Sequence, residues 1–251
     1  MQKRLGIAVT CIAAFALAVF TSQAQQAPAA KKGGGAQRNT NAEPPIQIPE
    51  GFTPIFNGKD LTGWHISKTN HHGTTPDFHV VDGIIVGHQN PPGKGGILVT
   101  DNKYKNVEVY LEVKPDWGCD SGLFLRSTEA GEAYQVTLDY LPGGPPGTTG
   151  SMGGVYGEAL KDVRFSGPAE ELWMKAWKRD EWNRVHVRIE GDIPHITTWF
   201  NDQQVDDFTD TANHSIGGAT DGFLAIEVHG GERWHPAAFW RWRAIAVKKL
   251  P

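Results

Sequence analysis

Six polar or charged residues on three short segments carry the chemistry this sequence could perform. In Asp120-Ser121-Gly122-Leu123-Phe124-Leu125-Arg126, Leu123 and Leu125 alternate with Asp120, Gly122, Phe124 and Arg126. In the second segment, Tyr134, Val136 and Leu138 alternate with Gln135, Thr137 and Asp139. In the third, Leu224, Ile226 and Val228 alternate with Phe223, Ala225, Glu227 and His229. Successive side chains of a strand point to opposite faces. Each segment therefore has an aliphatic side for a core and a second side, and the second sides carry Asp120, Arg126, Gln135, Asp139, Glu227 and His229. If the three strands share a sheet, these residues form one surface. Acids, a base and a cation gathered on a concave sheet suit a polyhydroxy ligand and proton transfer to or from it. The competing reading is a solvated face with scattered ion pairs. The glycine and aromatic residues mixed into the polar side favour a site.

Loops add further candidates. The stretch 140–157, YLPGGPPGTTGSMGGVYG, is a long Gly- and Pro-rich rim ending at Tyr156, with Glu158 just beyond. Asn70-His71-His72-Gly73 and the segment 229–235 are two more polar loops. Trp64, Trp117 and Trp234 could stack on apolar sugar faces or simply pack in a core. His71 and His72 could ligate a divalent metal ion. However, adjacent side chains are expected to diverge, and the pair lacks metal-site spacing. Asp101-Asn102 could bind calcium, but there is no EF-hand pattern, and a solvated turn accounts for it. Cys119 reads as a nucleophile, a ligand or a small buried residue beside a turn.

The elements that must position these residues are strands. Val107, Val109, Leu111 and Val113 alternate with polar neighbours, and Val185, Val187 and Ile189 do the same. Further strands are expected over 78–81, 84–87, 97–100, 121–126, 133–139, 196–200, 203–208, 222–229 and 240–247. Asp82-Gly83 and Asn201-Asp202 have the chemistry of tight hairpins. Only 170–177 has a helical pattern. So many strands in one domain imply an all-β fold of two stacked antiparallel sheets.

The rest of the chain frames that domain. Lys3 and Arg4, the apolar run 5–20 and Ser22-Gln23-Ala24 form the pattern of a secretory signal peptide over 1–24. The expected product is secreted or periplasmic, with no membrane attachment after cleavage. Residues 25–50 have almost nothing to bury and read as a disordered linker, leaving 51–251 as the domain. Cleavage removes Cys11 and leaves Cys119 alone, so no internal disulfide can support the fold. The formal charge is −4, there is no basic block, and nucleic acid is excluded as a partner on that ground.

The blocks along the domain resemble the 3-keto-disaccharide hydrolase family, formerly a domain of unknown function. The opening block is Gly51-Phe52-Thr53-Pro54-Ile55-Phe56-Asn57-Gly58-Lys59-Asp60-Leu61-Thr62-Gly63-Trp64. Phe78-His79-Val80-Val81-Asp82-Gly83-Ile84-Ile85, Gly96-Ile97-Leu98-Val99-Thr100, and Tyr104-Lys105-Asn106-Val107-Glu108-Val109 follow in order. The blocks at 120–126 and 134–139, Trp182-Asn183 and Val228-His229-Gly230 complete the series. The resemblance implies a concanavalin A-like jelly roll acting on glycosides already oxidised to a ketone at sugar carbon 3. It implies His229 or Asp139 as the base that takes the carbon-2 proton, Arg126 holding the ketone or oxyanion, and Asp120 orienting it. Trp64, His71, His72, Trp117, Gln135, Tyr156, Glu158, Glu227 and Trp234 would contact the carbohydrate. The family commonly has Glu at position 135, Gln at 137 and Asn at 120, where this chain has Gln135, Thr137 and Asp120.

Two other functions fit the same sandwich. A conventional glycoside hydrolase would need paired carboxylates in an E-x-D-x-x-E pattern. Glu190-Gly191-Asp192 begins that pattern, but His195 stands where its last Glu belongs. A non-catalytic carbohydrate-binding module would keep the aromatic residues and dispense with the acid–base set.

Overall fold

The computed structural model of the chain describes residues 43–140, 152–168, 170–232 and 234–251. The leader 1–24, the linker as far as 42 and the 141–151 part of the Gly- and Pro-rich loop lie outside the described residues. Among those described, no helix is long and apolar enough to cross a membrane.

The elements, in order, are β1 (Thr53–Pro54), β2 (Trp64–Ile66), β3 (Asp77–Val81), β4 (Ile84–His88), β5 (Gly96–Tyr104), β6 (Val107–Val113), β7 (Cys119–Ser127), β8 (Ala133–Tyr140) and β9 (Val155–Glu158). After these come α1 (Glu170–Ala176), β10 (Asn183–Glu190), β11 (His195–Phe200), β12 (Gln203–Thr209), β13 (Gly222–Val228) and β14 (Trp240–Lys249). They form two antiparallel sheets. One runs β12-β11-β10-β6-β14-β4-β3, with β1 beside β14; the other runs β2-β5-β13-β7-β8-β9. This is the all-β two-sheet sandwich that the alternation predicts.

The hairpins form where the turn chemistry places them. Asp82 and Gly83 have φ of +50° and +81°, and Asn201 and Asp202 have +49° and +70°. Positive φ at both central residues matches the twist of the flanking strands, and Asn, Asp and Gly tolerate it most readily. The core lies between the sheets. Val109, Leu111, Val185 and Val187 meet Leu123, Leu125, Tyr134, Val136 and Leu138 in one apolar cluster. Burying each such side chain contributes roughly 1.5–3 kcal/mol.

The strands differ in what covers their other face. In β10, buried residues alternate with half-buried ones, as for a solvated outer face. In β7 and β8 every residue is buried. The outer face of the second sheet is therefore roofed, and the roof makes the site.

Three ambiguous residues resolve as core. Cys119 is fully buried in the inter-sheet cluster, and burial pushes its thiol well above the ordinary cysteine range, against a nucleophilic role. Trp64 and Trp234 belong to the same cluster, and their indole N–H groups donate to the carbonyls of Ile55 and Ala238 at 2.8 and 3.0 Å. Both rings are thus largely buried, the core-packing alternative of the two that the sequence leaves open, and neither lines the polar cleft described below. The partial E-x-D-x-x-E pattern falls on the β10–β11 hairpin, in the sheet opposite the polar surface.

Candidate functional site

The three chemistry-bearing segments are neighbours: β13, β7 and β8 lie side by side, and β9 adds a fourth strand. Asp120 pairs with Asp139, Gly122 with Thr137 and Phe124 with Gln135; Gln135 in turn pairs with Tyr156. The outer face divides along its length. One half is a small apolar cluster of Ile97, Val99, Phe124, Ala133 and Ala225, with Phe223 against it. The other half is polar. This division explains the mixture of aromatic, small and charged residues on one side of each strand.

A cleft of about 250 Å³ opens over the polar half. It is lined by His71, His72, Asp120, Gln135, Thr137, Asp139, Tyr156, Glu158 and His229. Glu227 lies in its floor, wholly buried, and accepts a 2.9 Å hydrogen bond from Gln135 Nε2 at Oε2. Gly122 makes that bond possible: a Cβ there would stand 2.1 Å from Gln135 Nε2. Desolvation holds the Glu227 carboxyl well above the usual carboxylate range. The negative charges of Asp120, Glu158 and Asp139 add to that effect, while the Gln135 hydrogen bond opposes it.

His71 and His72 come from the loop before β3, and the structure corrects the expectation that they diverge. They sit in a turn rather than a strand, and their ring centroids are 4.0 Å apart. Asn70 shapes that turn, accepting from His72 N–H at 3.0 Å and donating to the Ala130 carbonyl at 2.9 Å. Gly95 N–H donates to the His72 carbonyl at 2.8 Å. A Cβ at Gly230 would lie 2.5 Å from that same oxygen, so the close approach needs glycine. With the turn pressed onto the strand ends, His71 Nε2 reaches Glu158 Oε1 at 3.0 Å, and His72 Nε2 lies 3.3 Å from Glu227 Oε1. Burial, and then His72, push the His71 imidazole below its ordinary range.

His229 closes the cleft at the end of β13. Its Nδ1 lies 2.5 Å from the Gly230 carbonyl, which can only accept, so Nδ1 carries the proton of the neutral ring. Nε2 then faces Asp120 Oδ2 at 3.8 Å. The loop after β13 is itself held by Gln89, whose Nε2 donates to the carbonyls of His229 and Gly231 at 2.8 and 2.9 Å. Nothing in the sequence marks Gln89. Thr137 also lines the cleft, placed there by the alternation of β8.

Arg126 does not join them. Against Phe223 and Ala225 of β13, β7 runs from Ser127 to Phe124, one residue too many, and Arg126 has φ +50°. This β-bulge breaks the period of two. The guanidinium is buried and donates to the Gly191 carbonyl, in the β10–β11 hairpin of the opposite sheet, at 2.6 Å. Trp117 is also absent from the cleft: it is partly exposed, edge-on to Tyr140, with Arg179 over its ring.

Comparison with known proteins gives this arrangement a context. A curated 3-keto-disaccharide hydrolase of Bacteroides thetaiotaomicron is 30% identical over 92 residues, which are 34% of this chain and 31% of that protein. The match thus spans about a third of that relative. Two crystal structures from Parabacteroides distasonis, both provisionally described as glycosyl hydrolases, share the fold. The first has TM-score 0.57 at 21% identity and covers 80% of this chain and 95% of that one. The second has TM-score 0.55 at 19% identity, with coverage of 79% and 99%. Residues 51–248 match the model of the 3-keto-alpha-glucoside-1,2-lyase-like domain, and the chain belongs to that family.

Proposed function

We propose that the cleft cleaves glycosides carrying a ketone at sugar carbon 3. The ketone acidifies the proton on carbon 2. His229 Nε2 removes it, the electron pair moves through the enolate, and the bond from carbon 1 to its oxygen breaks. The proton held by His229 passes to the departing oxygen. Water then adds to carbon 1 of the resulting enone as a proton returns to carbon 2, so the net reaction is hydrolysis. Asp120 stabilises the imidazolium between these steps, and Asp139, its register partner, lines the same cleft.

The observation that carries this reading is the contact of His229 Nδ1 with the Gly230 carbonyl, which leaves Nε2 facing Asp120 on the wall of the cleft. Family membership supports the substrate class. The buried positions of Trp64 and Trp234 weigh against a binding module that stacks sugars on indole.

The test is incubation with a 3-keto-glucoside and, separately, with its unoxidised parent. Loss of the ketone's alkaline absorbance and release of the aglycone are followed together. Turnover of the keto sugar alone is the expected result. Turnover of the parent would make the protein a conventional glycosidase, and binding without turnover would make it a module.

A further inference from the structure

The cleft gathers carboxylates and imidazoles in one place. Asp120, Asp139 and Glu158 line it, and Glu227 lies buried beneath it. Three imidazoles hang over these four carboxylates. His71 Nε2 and His72 Nε2 converge on one oxygen, Glu158 Oε1, at 3.0 and 3.6 Å. Ligand bonds of about 2.0–2.2 Å in a tetrahedral site put neighbouring donor atoms about 3.4 Å apart. The donor atoms of His71, His72 and Glu158 all lie within 4.8 Å of one another, as do those of His72, Glu227 and His229.

A second, independent observation points the same way. Glu227 is wholly buried, and its Oε1 has no hydrogen-bond partner among the described residues. His72 Nε2, 3.3 Å away, has none either. Buried polar atoms in native proteins are rarely left unpaired, and a missing ion is one standard explanation. Two such atoms meet here on a wall already shaped for a ligand.

We propose that His71, His72 and Glu158 bind one divalent transition-metal ion, with Glu227 and His229 as the partners next to it. Two imidazoles and a carboxylate select zinc or a similar ion over calcium or magnesium, and three protein ligands leave a coordination position open to the cleft. The site stands on this geometry alone. Its use as a Lewis acid that polarises a sugar carbonyl, in the place that Arg126 does not fill, rests on the function proposed above.

The full chain, stripped with chelator and then dialysed, is titrated with zinc chloride by calorimetry and with cobalt chloride by visible absorbance. Calcium chloride serves as a control. One equivalent of zinc and of cobalt is expected, with a cobalt band typical of nitrogen and oxygen ligands. Glu158→Gln and His71→Ala should each weaken binding by about 10–100-fold or more, while circular dichroism stays unchanged. His79→Ala, on the opposite sheet, should leave it unaltered. No saturable binding, or affinity indifferent to Glu158→Gln and His71→Ala, overturns the site. Saturable binding without turnover of a 3-keto-glucoside overturns the proposed function and leaves the ion site standing. Full turnover by metal-free protein removes only the Lewis-acid role.

Discussion

His229 has Nδ1 committed to the Gly230 carbonyl, so its neutral ring presents the basic Nε2 to the cleft and to Asp120. A base so placed typically contributes 10²–10⁴-fold to a proton-transfer step. His229→Ala should therefore reduce turnover of a 3-keto-glucoside by about that factor, with an unchanged circular dichroism spectrum and denaturation midpoint; an unaltered kcat would remove His229 from the chemistry. Arg126 makes the opposite case. Among the described residues its Nε and Nη1 have no hydrogen-bond partner, and Nη2 is bonded to Gly191. Burial lowers its pKa, the mark of a charge that is costly to desolvate. Arg126→Met gives up one charged hydrogen bond, worth about 1.5–3 kcal/mol, and relieves part of that desolvation. We expect a urea midpoint shifted by less than the hydrogen bond alone would move it, and kcat and KM like those of the parent. A large fall in kcat with intact fold would return the guanidinium to the site.

At the scale of elements, the cleft depends on two loops docked against each other and onto the end of the second sheet. Gln89 joins them: it donates to His229 and Gly231 in one loop and accepts from Gly93 N–H at 2.7 Å in the other. Gln89→Leu strips three backbone groups of their partner and frees the chain beside His229. Displacing a catalytic group by about 1 Å can cost 10²-fold, so kcat should fall by about 10- to 100-fold while KM changes little. An unchanged kcat would mean that other contacts hold the loop. The strands behind these loops were legible because period-two alternation in β6, β8, β10 and β13 is a direct consequence of one buried face. That β7, β8 and β13 share a sheet is an assumption at the level of sequence, and their pairing bears it out. Three strands escape that reading: β1 is only Thr53–Pro54. β2 is only Trp64–Ile66, and β9 is Val155–Glu158 at the end of a glycine-rich stretch. Arg126 was misassigned because a bulge breaks the alternation without a glycine to announce it. The His71–His72 convergence was hidden because a turn, unlike a strand, imposes no alternation, and its shape depends on Asn70 and on Gly230, far away in sequence.

Over the whole molecule, the site belongs to one face of one sheet, while stability comes from the cluster between the two. Leu111 of β6 is fully buried in that cluster, on the sheet that contributes nothing to the cleft. Leu111→Ala removes three carbons and leaves a cavity, which in well-packed cores costs about 2–5 kcal/mol. For a domain with a total of about 5–15 kcal/mol, that is a large fraction, but it should leave a folded majority at ambient temperature. The cleft is spanned by backbone pairing within β13, β7, β8 and β9, so a cavity across the core relaxes mainly into the opposite layer. The expected result is a urea midpoint lowered in proportion to that loss, with an unchanged slope and with kcat and KM per folded molecule equal to those of the parent. If kcat instead fell in step with stability, the two layers would act as one mechanical unit, and core packing would have to be counted among the features that position His229.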